Sequence, residues 1–208
     1  MKHSSILYLN RFKTITTLKE NSSIIAFTVL FTISLFSGCL FFSTEKSKVI
    51  SDLLFNFCIS QKFNHSFIWI FIVTALFEAV FLISLYLFGT SLIGVAFIPS
   101  VIVLKGFFIG ILLSYLYVNF KLQAIAYNLI IIIPAACIST LALIYGACNT
   151  LNLSYTLGKI LISEGQSDNK PNLKRIVLQF FALLAITFLS ALIQSVMFVA
   201  FIKFFEFG

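Results

Sequence analysis

Two ionisable side chains stand near the middle of long apolar segments of this sequence. Glu78 lies within residues 67–87, and Lys105 lies within residues 92–118. A charge at the centre of a bilayer is disfavoured by about 2.5–3.5 kcal/mol on insertion scales, so such residues are rare and usually pair with one another. Because consecutive spans run antiparallel, we predict that the two residues meet as an ion pair, inside a helical bundle or at a subunit interface.

Two roles are open for this pair. The first is a proton or ion relay, and the second is a contact that fixes the register of the helices. A relay needs a chain of polar groups across the membrane, whereas the sequence offers a single pair. We therefore expect the structural role.

The rest of the sequence offers few groups for chemistry. It holds seven acidic residues, two His and four Cys. It contains no P-loop, no HExxH and no Ser-His-Asp set, and its Cys residues form no CxxC or zinc spacing. We expect no catalytic residue, no cofactor and no metal site, and hence a protein that is not an enzyme.

The composition indicates a bilayer as the solvent. Hydrophobic residues make up 60% of the 208 residues and charged residues 10%, with a mean hydropathy of +1.07. Soluble domains have about 45–50% apolar and about 25% charged residues. A net charge of +7 would suggest nucleic acid in a soluble protein, but here the basic residues flank apolar runs. We therefore expect membrane lipid, and no nucleic acid, as a partner.

Five apolar runs are each long enough to span a bilayer, since a hydrocarbon core of about 30 Å needs about 20 helical residues. They cover residues 23–42, 67–87, 92–118, 124–148 and 176–202. The runs lack the alternation of a β-barrel, and helices satisfy their own backbone hydrogen bonds in lipid. We predict an all-α, polytopic membrane bundle of about five transmembrane helices. Residues 1–208 form a single integral membrane domain, because the connecting segments are too short for an extramembrane one.

The third span is expected to be broken or kinked. Residues 88–120 are too long for one straight crossing and contain Pro99. They form either one tilted helix or two pieces, and two full crossings would move the C-terminus to the other side. We predict kinks at Pro99 and Pro134, since proline removes a backbone donor.

The distribution of Lys and Arg predicts the orientation in the cell membrane. With five spans, residues 1–22 and 149–175 share one side and carry eight basic residues, against five on the opposite side. Cytoplasmic loops are enriched in Lys and Arg. We place the N-terminus in the cytoplasm and the C-terminus outside.

A stripe of small residues recurs at every fourth position of the third span, at Gly106, Gly110 and Ser114. Small residues let helix backbones approach closely in lipid. The helix packed against this stripe belongs either to the same chain or to a second copy, which would mean self-association. Packing within the chain is the simpler interpretation.

Two connecting stretches, 49–59 and 151–162, place apolar residues at helical spacing. Each forms either a short helix at the membrane surface or a surface loop. The sequence leaves both alternatives open.

The block of residues 88–110, FGTSLIGVAFIPSVIVLKGFFIG, resembles the stage II sporulation protein M family. That family has Gly, Ser and Gly, then Pro, then an aliphatic stretch that ends in Lys-Gly-x-x-x-Gly. The matching residues are Gly89, Ser91, Gly94, Lys105, Gly106 and Gly110, with Pro99 later than in the family pattern. The length, the number of spans and Pro134 in the fourth span also fit. Ala135 and Ala136 depart from the pattern, since relatives often carry polar residues there.

The resemblance implies a non-enzymatic membrane scaffold. Such a protein anchors and localises a septal peptidoglycan-degrading complex during engulfment in endospore formation. The implied partners are peptidoglycan hydrolases of the stage II sporulation D and P type, and the implied location is the polar septum. The alternative is a permease or transporter subunit, which kinked helices and an intramembrane Glu–Lys pair would also suit.

Overall fold

The structure, a computed structural model, describes residues 2–41, 66–91, 94–162 and 173–201. The helices are α1 (Lys2–Phe41), α2 (Phe67–Gly89), α3 (Gly94–Tyr127), α4 (Ile133–Ile162) and α5 (Leu173–Phe201), with a π-helical turn at Asn128–Ile132 between α3 and α4. Within these described ranges no residue is in a strand. The predicted all-α membrane bundle is confirmed.

Four helical segments in the described ranges are long and apolar enough to cross a membrane, whereas about five were predicted. They are Ser22–Phe41, Phe67–Gly89, Gly94–Gly158 and Lys174–Phe201. The predicted number of separate helical segments was wrong, because the third and fourth predicted spans belong to one segment of 65 residues. No connecting loop separates them, since the helix continues on both sides of Lys121.

This long segment folds back on itself at Lys121, whose backbone angles are non-helical (φ 48°, ψ −120°). Lys105 and Ser139 are 34 residues apart, which is about 51 Å along a straight helix. Their side chains are nevertheless in contact, with 3.0 Å between Lys105 Nζ and Ser139 Oγ. It follows that α3 and α4 are antiparallel. Residues 94–120 form a single helix. The break lies at Lys121, and the last six residues of α3, 122–127, already belong to the returning arm.

The two prolines in the spans have different surroundings. Pro99 lies six residues into α3, where the backbone stays helical. Pro134 lies two residues after the end of the π-helical turn at Ile132. Proline lacks an N–H, and its ring crowds the carbonyl four residues earlier, which here belongs to Ile130. A π-helical turn at this point widens the helix and relieves the crowding.

The first helix packs in parallel along α3 through small residues. A Cβ atom built at Gly106 would overlap Ser34 Oγ, and one built at Gly110 would overlap the carbonyl of Leu35. The third member of the stripe, Ser114, is half-buried. The small-residue stripe therefore meets a helix of the same chain.

Two apolar clusters fill the interior at different depths. The first contains Leu82 of α2, and the second contains Ile70 of the same helix. Residues of α3 also contribute to both, whereas α4 contributes buried residues to the first cluster and packs Ala136 against the second. Between these clusters each of α2, α3 and α4 carries one polar residue of the candidate site.

Of the two stretches with helical spacing, 151–162 is the last part of α4. It is thus a continuation of a long helix and not a separate one. The stretch 49–59 lies outside the described residues.

Candidate functional site

The predicted partners Glu78 and Lys105 are in contact inside one chain. Glu78 lies on α2 and Lys105 on α3, with 2.7 Å between Lys105 Nζ and Glu78 Oε2. The two residues are only 8% and 1% exposed. At this distance and burial the ion pair is also a hydrogen bond between charged groups, which is shorter and stronger than a neutral one.

A third residue, Ser139 of α4, completes the site and was not predicted. Its hydroxyl oxygen accepts a hydrogen bond from Lys105 Nζ at 3.0 Å. The Ser139 hydroxyl lies 3.1 Å from Glu78 Oε1, to which it donates. The carbonyl of Ala136, at 3.2 Å, is a second acceptor within reach. The three side chains form a closed ring that we call the Glu–Lys–Ser triad.

The position of Ser139 follows from the reversal at Lys121. Lys105 lies 16 residues before Lys121 and Ser139 lies 18 residues after it. An antiparallel hairpin centred near Lys121 therefore brings the two to one depth. The departure from the family pattern at Ala135 and Ala136 concerns the positions directly after Pro134, and the polar residue Ser139 stands one turn later.

The triad is neutral in sum and its polar atoms have partners. Each carboxylate oxygen of Glu78 has a donor, one from Lys105 and one from Ser139. The ammonium group of Lys105 also lies 5.9 Å from the centroid of the Phe81 ring, within the range of a cation–π contact. Burying two charges is unfavourable unless they are paired and hydrogen-bonded, and this arrangement meets both conditions.

The hydrogen bonds of the triad end on its own members and on the Ala136 carbonyl. Two nearby buried hydroxyls are bonded to the backbone instead. Thr74 donates to the carbonyl of Ile70, and Ser190 donates to the carbonyl of Ala135. In the part of the chain that the structure describes, no three His, Cys, Asp or Glu side chains are placed to hold a metal ion. Among the described residues, the hydrogen bonds of the triad link three helices and reach no further side chain.

The first half of the block 88–110 joins the α2–α3 turn to α4. A Cβ atom at Gly89 would overlap the side chain of Thr150. Ser154 donates a hydrogen bond of 2.8 Å to the carbonyl of Ser91. A Cβ atom at Gly94 would overlap the backbone and lie against Ser154. In the second half, Lys105 belongs to the triad and the two following glycines contact α1.

No protein-family model matches the chain, and no curated protein or solved structure is significantly similar to it. The resemblance to the stage II sporulation protein M family therefore rests on the sequence alone, and its specific part is the block 88–110.

Proposed function

We propose that the protein is a non-enzymatic membrane scaffold that anchors peptidoglycan-degrading enzymes at a division septum. The observation that carries this proposal is the closed triad. Both intramembrane charges are used in bonds between α2, α3 and α4. Groups committed to holding helices together are not free to bind a passing solute. A rigid bundle suits a protein that positions others.

The block 88–110 adds support to this proposal. Its glycines lie where helices approach closely, its Lys lies in the triad, and its Ser carbonyl accepts a bond from α4. The residues that carry the family resemblance thus have structural roles in this chain. This fits a family whose members hold partners and carry out no chemistry themselves.

We place the N-terminus in the cytoplasm, with each arm of the folded-back segment crossing the membrane once. This arrangement gives five crossings and puts residues 43–66 outside the cell. That segment and the Lys121 turn are then the surfaces open to hydrolases of the stage II sporulation D and P type. Residues 43–65 lie outside the described residues, so the contact itself is part of the proposal.

Deletion of the gene in the native host, followed by membrane-dye microscopy through sporulation, tests the scaffold. We expect arrest after the polar septum forms, with an unthinned or bulging septal wall. Restoration by a second copy of the wild-type gene is the control. Normal engulfment in the deletion strain would contradict the proposal.

The alternative, a permease or transporter subunit, is favoured by one observation, the buried Glu–Lys pair between two spans. The double variant Glu78→Gln with Lys105→Met separates the two functions. It removes both charges while keeping similar side-chain volumes. A scaffold keeps its engulfment function in this variant, provided that the protein still accumulates in the membrane. A transporter that moves ions through the pair loses its activity.

A further inference from the structure

A groove with a volume of about 630 Å³ opens between α2 and α3. Its α2 wall runs from Leu76 to Phe88, and its α3 wall runs from Phe97 to Phe108. Each wall consists of side chains that recur every three or four residues and so share one helix face. The small-residue stripe and the triad lie on other faces of these helices.

The length of the groove along the helices is about the thickness of one membrane leaflet. Leu76 and Phe88 are 12 residues apart, which corresponds to about 18 Å of helix. One leaflet occupies about half of a hydrocarbon core of about 30 Å. The groove starts beside the α2–α3 turn, where the rings of Phe88 and Phe97 stack at 5.2 Å. It ends beside Phe77, next to Glu78 near the middle of the span.

The shape and the lining of the groove favour a hydrocarbon chain as its occupant. The groove is open along one side and runs for about 18 Å along both helices, which is about the length of an acyl chain within one leaflet. Its walls are apolar apart from two serines.

The lining requires no hydrogen bond from an occupant. Ser84 and Ser100 carry its side-chain hydroxyls, and each donates to a carbonyl of its own helix, at 2.7 Å and 2.6 Å. The edges of the groove are apolar and open, since Leu76 is 59% and Leu104 is 49% exposed. The groove is thus continuous with the lipid-facing surface of both helices.

We propose that this groove binds an acyl chain of a phospholipid from the leaflet at the α2–α3 turn. The site goes beyond the scaffold function and depends only on the embedding of the bundle in a membrane. Phe81 lines the groove and also lies against Lys105 Nζ. A bound acyl chain therefore covers the ring that separates the triad from the lipid.

Native mass spectrometry of the full chain tests this site. The protein is extracted in mild detergent from vesicles of phosphatidylglycerol and phosphatidylethanolamine. We expect wild type to retain one phospholipid per chain. Ser84→Phe and Ser100→Phe each fill the groove from one wall and should lower retention about tenfold, as for a loss of burial of about two methylene groups.

Thr32→Phe is the matched control. Thr32 is an exposed hydroxyl on α1 that donates to its own helix, at the carbonyl of Thr28. This variant adds the same ring outside the groove and should retain lipid as wild type does. Equal retention in all variants, or a wild type that retains no lipid or forms lipid-free dimers, would overturn the proposal.

A second measurement needs no variant and so does not depend on variant folding. Wild-type protein in vesicles is irradiated with a phospholipid that carries a diazirine in its acyl chain, and the adducts are mapped on peptides. We expect adducts to concentrate on residues 76–88 and 97–108. Labelling spread evenly over all exposed apolar residues would show an ordinary lipid contact and no site.

Discussion

Ser139 provides the hydroxyl that lets two opposite charges sit together in an apolar interior. It is fully buried, accepts from Lys105 and lies within donating distance of Glu78. The Glu–Lys pair was predictable, because two isolated charges on consecutive apolar spans have few other partners. Ser139 was not predictable from the residues around it. One Ser among several in the spans becomes a candidate only once the position of the chain reversal is known.

Charge reversal tests whether the pair stabilises the fold. Glu78→Lys and Lys105→Glu each place two like charges together in the interior, and each should destabilise the protein by about 3–5 kcal/mol or more. The double variant restores opposite charges and should recover most of that loss. Thermal unfolding of the detergent-solubilised proteins measures the effect. A double variant no more stable than either single variant would show that the pair does not stabilise the bundle.

Ser139→Ala tests the contribution of the hydroxyl. The variant leaves Glu78 Oε1 without its donor, and we expect a loss of about 1–3 kcal/mol. Ser195→Ala is the matched control, because Ser195 is equally buried but donates only to the carbonyl of Ala191 in its own helix. Its loss should be clearly smaller in the same unfolding measurement. Equal losses would mean that the Ser139 hydroxyl has no special role in the triad.

The helices themselves were largely predictable, whereas their connections were not. The apolar runs indicated spans at residues 23–42, 67–87 and 176–202, and each of these corresponds closely to a helix. The predicted number of separate helical segments was wrong at the α3–α4 connection, where the chain reverses without a loop. The local signals for a break, glycine and proline, cluster between Gly89 and Gly110, while the actual reversal occurs at a lysine among good helix formers.

Lys121 holds a backbone conformation that favours glycine, with φ at 48°. A residue with a Cβ atom is strained there by about 1–3 kcal/mol, and glycine is not. We therefore expect Lys121→Gly to stabilise the hairpin by about 1 kcal/mol, seen as a higher midpoint of thermal unfolding. Lys121→Ala removes the same charge but keeps the Cβ atom, so it should bring no comparable gain. A gain of equal size in both variants would assign the effect to the charge.

As a whole molecule, the protein is a bundle with two weakly enclosed helices. The apolar part of α1 is only 17% buried and that of α5 only 22%, against 50% for α2 and for the α3–α4 segment. The core thus consists of α2, α3 and α4. Helix α5 packs against α2 and α4, and α1 is attached along one side of α3. Small residues at this attachment were visible in the sequence, but their partner was not, because GxxxG spacing identifies a contact face without identifying the helix that covers it.

The number of membrane crossings can be tested by locating the two ends of the chain. If the arms of the Lys121 hairpin each cross the membrane, the chain makes five crossings and its ends lie on opposite sides. Fusions at residue 1 to a fluorescent protein and at residue 208 to alkaline phosphatase should then both be active in the native host. The swapped fusions are the control and should be inactive. Ends on the same side would mean that the long segment does not contribute two crossings.

The spacing of the triad along the chain sets an order of events during biosynthesis. Glu78 leaves the ribosome first, Lys105 follows 27 residues later, and Ser139 follows 34 residues after that. Glu78 and Lys105 can pair only after α2 and α3 have both been synthesised. Because an unpaired charge is unfavourable in lipid, we expect these two helices to leave the insertion machinery together. The ring closes only when the second arm of the hairpin arrives. We therefore expect a stage of biosynthesis in which the salt bridge has formed and Ser139 has not yet joined it.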